Sequence, residues 1–436
     1  MKNNKKQNLM LSLNNNDKYS NRIANTKKKK IINFTKNSKN NWNILKKKKE
    51  FGIYKRQKYI SIKSKIFNSS KNYIYNVIYD KTFVILNIFM IFYFISISKQ
   101  NSDVSNLQSM QKIIITIDGP TTGNIFGSDF RYQPSALYIN ENEVNLEQKS
   151  YYNAFNLLEE ENIIKVYYSN PPDSFKNMFN YNYYIKKVDL THFDTSKVKD
   201  MNSMFANCVK LEYVNMTGID TSSVTDMGSM FQSCPKLTSL DLSNFDTSSV
   251  FNMKYMFCGC TNLTYLNISN FNTSSVNLIS EMFSYCDNLE SLDLSSFETN
   301  KNLDMSKMFY NCSKLKSIKF PEKNIIYGLN MEYLFQGCSS LTSLNLSSFN
   351  TSYTIKFNNM FENCINLISI DLSNFNTSKV SNMDNMFKGC LKLEFLDLSK
   401  FDTNSVNNME GMFRYCSSLI YLNMKSLVIN NIINTN

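Results

Sequence analysis

Residues 237–262 read LTSLDLSNFDTSSVFNMKYMFCGCTN, and the same pattern returns along most of the chain. Leu237, Leu240 and Leu242 give L-x-x-L-x-L, the spacing of a short strand that lines the inner wall of a leucine-rich repeat. Asp246 and Thr247 then favour a turn, because their side chains bond nearby backbone groups. Val250, Met253, Met256, Phe257 and Cys260 follow at i, i+3, i+6, i+7 and i+10, close to one face of a helix. Ser248 or Ser249 would cap that helix at its N-terminus.

The register of this unit is what carries the fold. A Met-Phe pair begins at Met178, Met204, Met230, Met256, Met282, Met308, Met360, Met386 and Met412, with Leu334-Phe335 in the one gap, so every step is 26 residues. One unit cannot bury its apolar face alone, whereas stacked neighbours share a continuous core. The expected fold is therefore α/β: a leucine-rich-repeat solenoid of about ten 26-residue units over 165–436, with strands on one wall and helices on the return. Residues 113–164 read as a small β cap, on the strength of the run Ile113 to Ile117 and the short strand 136–140.

The 42% hydrophobic content supplies a sizeable core, and 11 Gly and 6 Pro exclude a collagen-like or loop-rich chain. The net charge of +12 is segregated. Residues 1–81 carry 22 Lys and Arg against Asp17, Glu50 and Asp80, so the repeats are mildly acidic and no nucleic-acid partner is expected. The basic runs 27–30 and 46–49 suit a disordered tail, or a signal that binds anionic lipid or directs nuclear import.

Residues 82–98 (TFVILNIFMIFYFISIS) are 17 uncharged residues between Lys81 and Lys99. They are expected to form a transmembrane or signal-anchor helix, with 1–81 as a cytoplasmic tail and 99–112 as a linker to an extracellular or lumenal array. The rival reading makes the apolar run part of a globular region and the chain a cytoplasmic or nuclear scaffold.

The motif L-x-x-L-D-L-S-x-F-D-T-S-x-V-x-x-M-x-x-M-F-x-x-C resembles the BspA-like leucine-rich-repeat surface proteins, including related repeats of mycoplasma surface lipoproteins. The resemblance covers about 165–425, and 136–140 resembles the β lead-in of such arrays. It implies cell-surface placement and, in some members, adhesion to matrix proteins or other cells. The chain departs from that pattern in three ways: no lipid-attachment Cys follows the apolar run, the N-terminus is long and basic, and the unit at Lys319, Phe320, Pro321, Glu322 and Lys323 is irregular.

Enzyme chemistry finds little footing. Nine cysteines from Cys208 to Cys416 recur every 26 residues and Cys258 is extra, which reads as a buried column of small side chains. Close thiols occur at Cys258 and Cys260 without a neighbouring His, and His192 is the single histidine, so no metal, cofactor or catalytic residue is expected. The carboxylates recur as a column and form no convergent pair.

That column lies on the strands. Asp189, Asn215, Asp241, Asn267, Asp293, Lys319, Asn345, Asp371, Asp397 and Asn423 share one outward position, and Tyr213, Ser239, Tyr265, Ser291, Ser317, Ser343, Ser369, Phe395 and Tyr421 share the next. Alternation of Asp with Asn limits repulsion along the column. Aromatic side chains beside polar groups are typical contact anchors. The expected binding residues are Tyr213, Asp241, Tyr265, Asp293, Lys319, Asp371, Phe395, Asp397 and Tyr421, facing a protein or glycan at a cell surface.

Overall fold

The computed structural model describes residues 110–146, 155–191, 193–301 and 303–428, with Met90 and Leu107 besides. All but Met90 fall in the second of the two units into which the chain divides, Met1–Lys99 and Gln100–Asn436.

Strands β1 (Gln111–Asp118), β2 (Thr121–Gly123), β3 (Ala136–Ile139), β4 (Asn142–Glu143), β5 (Phe155–Leu157) and β6 (Glu161–Tyr168) precede the repeats. The repeats contribute β7 (Ile185–Asp189), β8 (Tyr213–Asn215), β9 (Ser239–Asp241), β10 (Tyr265–Asn267), β11 (Ser291–Asp293) and β12 (Ser317–Lys319). They continue with β13 (Ile326–Tyr327), β14 (Phe349–Asn350), β15 (Phe395–Asp397) and β16 (Tyr421–Asn423). The leading strands join the array through one sheet, ordered β4-β3-β6-β1-β7-β8, in which β1 pairs antiparallel with β7 and β7 parallel with β8. Further along, parallel pairs keep the 26-residue register, Leu240 opposite Leu266 and Leu396 opposite Leu422, except that β13 and β14 pair residues 23 apart, Ile326 opposite Phe349 and Tyr327 opposite Asn350.

The return legs are not helices. Parallel bridges link Ser174, Asp200, Asp226, Asn252, Leu278, Asp304, Asn330, Lys356, Asn382 and Asn408 in succession, which makes a β-solenoid of nine 26-residue turns. In the leg that starts at Asp226, alternate amides leave the rung. Met227, Ser229, Phe231 and Ser233 donate to the carbonyls of Asn252, Lys254, Met256 and Cys258 in the next turn at 2.7–2.9 Å. The intervening Met230 and Gln232 donate three residues back, to Met227 and Ser229, and Gly228 donates to Asp226 Oδ1. The backbone donors from Met227 to Ser233 are thus all satisfied. Two residues four apart in each leg, such as Ser229 and Ser233 at φ 55°, adopt the left-handed conformation, which no helix tolerates. The expected α/β class is corrected accordingly: among the described residues the array is built from strands and turns. Ser248 caps no helix; its amide donates to Asp246 Oδ1 within a turn.

The expected transmembrane or signal-anchor helix over 82–98 is corrected as well. Among the described residues no helix is long and apolar enough to cross a membrane. Seventeen helical residues would reach only about 25 Å, short of the about 30 Å hydrocarbon core. The membrane partner and the membrane localisation that rested on that helix are withdrawn with it. Apart from Met90, residues 82–98 lie outside the described residues, as do the basic region 1–81, most of 99–112, His192 and 429–436.

Three columns hold the rungs together. Ten phenylalanines from Phe179 to Phe413 stack with centroids 5.4–6.1 Å apart and rings within 21° of parallel. Phe126 continues the stack onto Phe179 at 6.0 Å, so the leading strands cover the first rung with the same contact. Each of the nine cysteines that recur every 26 residues from Cys208 to Cys416 is a free thiol whose Sγ donates to the carbonyl of the phenylalanine 29 residues earlier, at 3.0–3.3 Å. Buried Thr195, Thr221, Thr247, Thr273, Thr351, Thr377 and Thr403 each donate to a carbonyl in the next turn and accept that residue's amide.

Candidate interaction surface

Strand alternation sends Leu240, Leu292 and Leu396 inward and exposes their flanking residues on one wall. All nine residues expected from the sequence to bind lie on that wall and are exposed. They do not form one site; the register sorts them into three groups.

Tyr213, Asp241 and Tyr265 come together. They border a cleft of about 350 Å³ floored by Ser239 and Leu240, where the short Ser239 leaves a gap between two tyrosines set two rungs apart. At about 4.8 Å per rung that separation is close to 10 Å. Tyr213 and Tyr265 are each 53% exposed, a large apolar area beside the Thr217, Ser239, Asp241 and Ser243 that line the same cleft.

Asp293 and Lys319 make the second group, an ion pair at 3.2 Å across adjacent rungs with both side chains about half-exposed. Lys319 thus already has a carboxylate beside it. The third group is Phe395 and Tyr421 on neighbouring strands, with Asp397 next to Phe395 and Asp371 one rung earlier.

The carboxylates have a structural duty that sequence reasoning missed. Asp189, Asn215, Asp241, Asn267, Asp293, Asn345, Asp371, Asp397 and Asn423 each accept, through Oδ1, the amide of the residue two positions on. Asp and Asn both carry that oxygen, so their interchange along the column is what a side-chain-closed turn permits. The D-x-S spacing in the sequence was the available signal. At Lys319 this bond is missing, and Phe320, at the inward position that Leu294 holds one rung earlier, packs edge-on against Phe349 at 4.9 Å.

These bonds fix the charge of the wall. The Ser243 hydroxyl and amide hold the Asp241 carboxyl below the usual range, with Asn267 adding to the effect. The Ser373 amide and hydroxyl do the same for Asp371, and the Ser399 hydroxyl and amide for Asp397. At Asp293 partial burial pushes upward but is outweighed by Ser295 and Lys319, leaving that carboxyl lowered too. The wall therefore stays anionic through and below neutral pH.

Among the described residues no group of three or more His, Cys, Asp or Glu side chains could hold a metal ion. The cysteines of the column are paired to carbonyls and, but for the half-buried Cys416, buried, with thiols pushed up by burial, to about 12 at Cys260 and Cys312. Such thiols are poor nucleophiles. The described residues bring together no catalytic arrangement.

The family described as "Mycoplasma protein of unknown function, DUF285" matches residues 173–265, 236–320 and 329–436, together more than half of the chain. The chain belongs to that family. The matched segments begin at the first bridged rung, so the DUF285 pattern coincides with the solenoid and leaves out strands β1 to β6. A crystal structure of a leucine rich cell surface protein from Faecalibacterium prausnitzii A2-165 is similar at 16% identity, covering 58% of this chain and 87% of that one, with a TM-score of 0.23. The resemblance to leucine-rich surface proteins is thus distant and partial. No curated protein matches the sequence.

Proposed function

We propose that this DUF285 chain is a non-catalytic interaction scaffold whose strand wall docks a partner protein at the cleft between Tyr213 and Tyr265. The observation that carries this reading is the pair of half-exposed tyrosines at one repeat position two rungs apart, lining a single cleft with an ionised Asp241 between them. Aromatic faces attract a cation, and a carboxylate in the same cleft completes a seat for an Arg or Lys side chain. The backbone of the cleft is fixed by ladder hydrogen bonds and closed turns, so little ordering cost attends binding. Phe395 and Tyr421, with Asp371 and Asp397, supply a second contact toward the other end of the wall. Lys319, held by Asp293, serves the partner by exchanging that carboxylate for one of the partner's.

Peptides selected from a randomised displayed library against the full chain test this. Selected sequences should be rich in Arg or Lys, and the double variant Tyr213→Ala, Tyr265→Ala should weaken their binding tenfold or more, while stability stays within about 0.5 kcal/mol as for other surface changes. Asp241→Asn keeps the turn oxygen and removes the charge, so it should weaken binding and flatten its salt dependence. Peptides that bind equally well to the tyrosine variant would overturn the assignment.

A further inference from the structure

One position of the 26-residue sequence repeat holds Lys301, Tyr327, Tyr353 and Lys379 in four successive units; in the structure Lys301, Tyr353 and Lys379 lie on the turn that follows the threonine column, and Tyr327 lies in β13, opposite Asn350. The same position elsewhere holds Lys197 or serine, as at Ser223, Ser249, Ser275 and Ser405. The four side chains converge. The Lys301 ammonium lies 5.0 Å and the Lys379 ammonium 4.8 Å from the centroid of the Tyr353 ring, and the Tyr327 ring meets Tyr353 edge-on at 6.1 Å. Among the described residues neither lysine forms an ion pair with a carboxylate.

A second feature is electrostatic. Three residues before this position in the sequence stands a side chain that closes the local turn at Asp194, Asp220, Asp246, Asn272, Asn350, Asn376 and Asp402, with Glu298 and Asn324 in the two remaining units. Asn350 and Asn376 accept the amide and hydroxyl of Ser352 and Ser378 through Oδ1, as Asp220 and Asp246 do for Ser222 and Ser248. The turn is therefore indifferent to the choice of acid or amide. In the rungs of Tyr353 and Lys379 the amide is present, while Lys301 has Glu298 three residues before it and bonds the Tyr353 hydroxyl, so neither ammonium is neutralised by a carboxylate within ion-pair distance among the described residues. Lys301 in turn draws the Tyr353 phenol below its usual range, with Lys379 adding to the effect.

We propose that Lys301, Tyr327, Tyr353 and Lys379 bind a sugar carrying a sulfate or phosphate ester. An ester seated at the Tyr353 ring meets both ammoniums, each within 5.0 Å of the ring centroid, and the Tyr353 hydroxyl donates to it. Tyr327 offers an apolar ring on which the carbon face of the sugar rests. Two cations grip one ester; a nucleic acid, held through some 6–10 phosphates, would need a longer basic track than four rungs supply. This site lies apart from the residues of the strand-wall cleft, and neither assignment depends on the other.

Residue-resolved lysine acylation of the full chain, read by peptide mass spectrometry, tests the site without interference from the 22 basic residues of 1–81. A disaccharide sulfate or the matching phosphate should slow labelling of Lys301 and Lys379 threefold or more and leave Lys316 and Lys319 unchanged. Whichever ester protects more strongly identifies the natural one, and loss of protection in Tyr327→Ala shows that the sugar ring is felt. Unchanged labelling with both esters, or equal protection by the unesterified disaccharide, would overturn the proposal.

Discussion

Thr247 binds two groups of the next rung with one oxygen: its hydroxyl donates to the Asn272 carbonyl at 2.9 Å and accepts the Asn272 amide at 2.8 Å. A hydroxyl on a β-branched side chain can do both in a buried site, where an unpaired backbone group costs about 1–3 kcal/mol. Thr247→Val keeps the shape and removes both bonds. It should lower stability by about 1–3 kcal/mol in urea titrations, with Thr247→Ser losing less. The thiols act by the same logic of paired burial. Burial raises Cys260, Cys312 and Cys364 to about 12, so the fold favours the neutral thiol. Their contribution is complete below the unfolded thiol value of about 8.5 and declines as pH rises from there toward the folded values. The urea midpoint should therefore fall between about pH 8 and 10, and Cys260→Ala with Cys312→Ala should flatten that fall. A midpoint independent of pH over that range would mean that the thiols ionise as freely in the fold as out of it.

Along one return leg, the apolar spacing of Val250, Met253, Met256, Phe257 and Cys260 was legible and their burial follows from it. The conformation was not, because a helix and a pair of tight turns place the same positions inward. What separates them is the destination of the amides, which a periodicity of side chains does not record. A faint signal existed: the second left-handed position is Gly259, Gly337 or Gly389 in three legs and Asn207, Asn311 or Asn363 in three more, residues that accept φ > 0 and that a helix interior disfavours. Glu281 occupies the first left-handed position at φ 59°. In a helix, Glu281→Gly would cost up to about 1 kcal/mol; here it should be neutral or stabilising by up to about 1 kcal/mol, since glycine relieves the left-handed backbone. Thermal melting of the variant distinguishes the two by sign.

Over the whole molecule, the array is a register of equivalent rungs, and what it presents depends on which side chains the 26-residue step sets beside one another. The outward position of the nine wall residues could be read from strand alternation alone. Their sorting into a cleft, an ion pair and an aromatic pair required knowing which rungs are neighbours and that Ser239 leaves room between its flanking tyrosines. The turn-closing role of the wall acids left only the D-x-S spacing as a signal, and the convergence of Lys301, Tyr327, Tyr353 and Lys379 depends on a local shift of register that the 26-residue period does not record. Deleting one complete rung, residues 237–262, tests the central claim most directly. It should bring Tyr213 onto the strand next to Tyr265, close the gap to about 5 Å and remove Asp241, while every remaining ladder regains a partner. The account expects cooperative melting to survive and binding of the library-selected basic peptides to fall tenfold or more. Loss of cooperative folding would contradict the equivalence of the rungs, and undiminished peptide binding would contradict the cleft as the docking site.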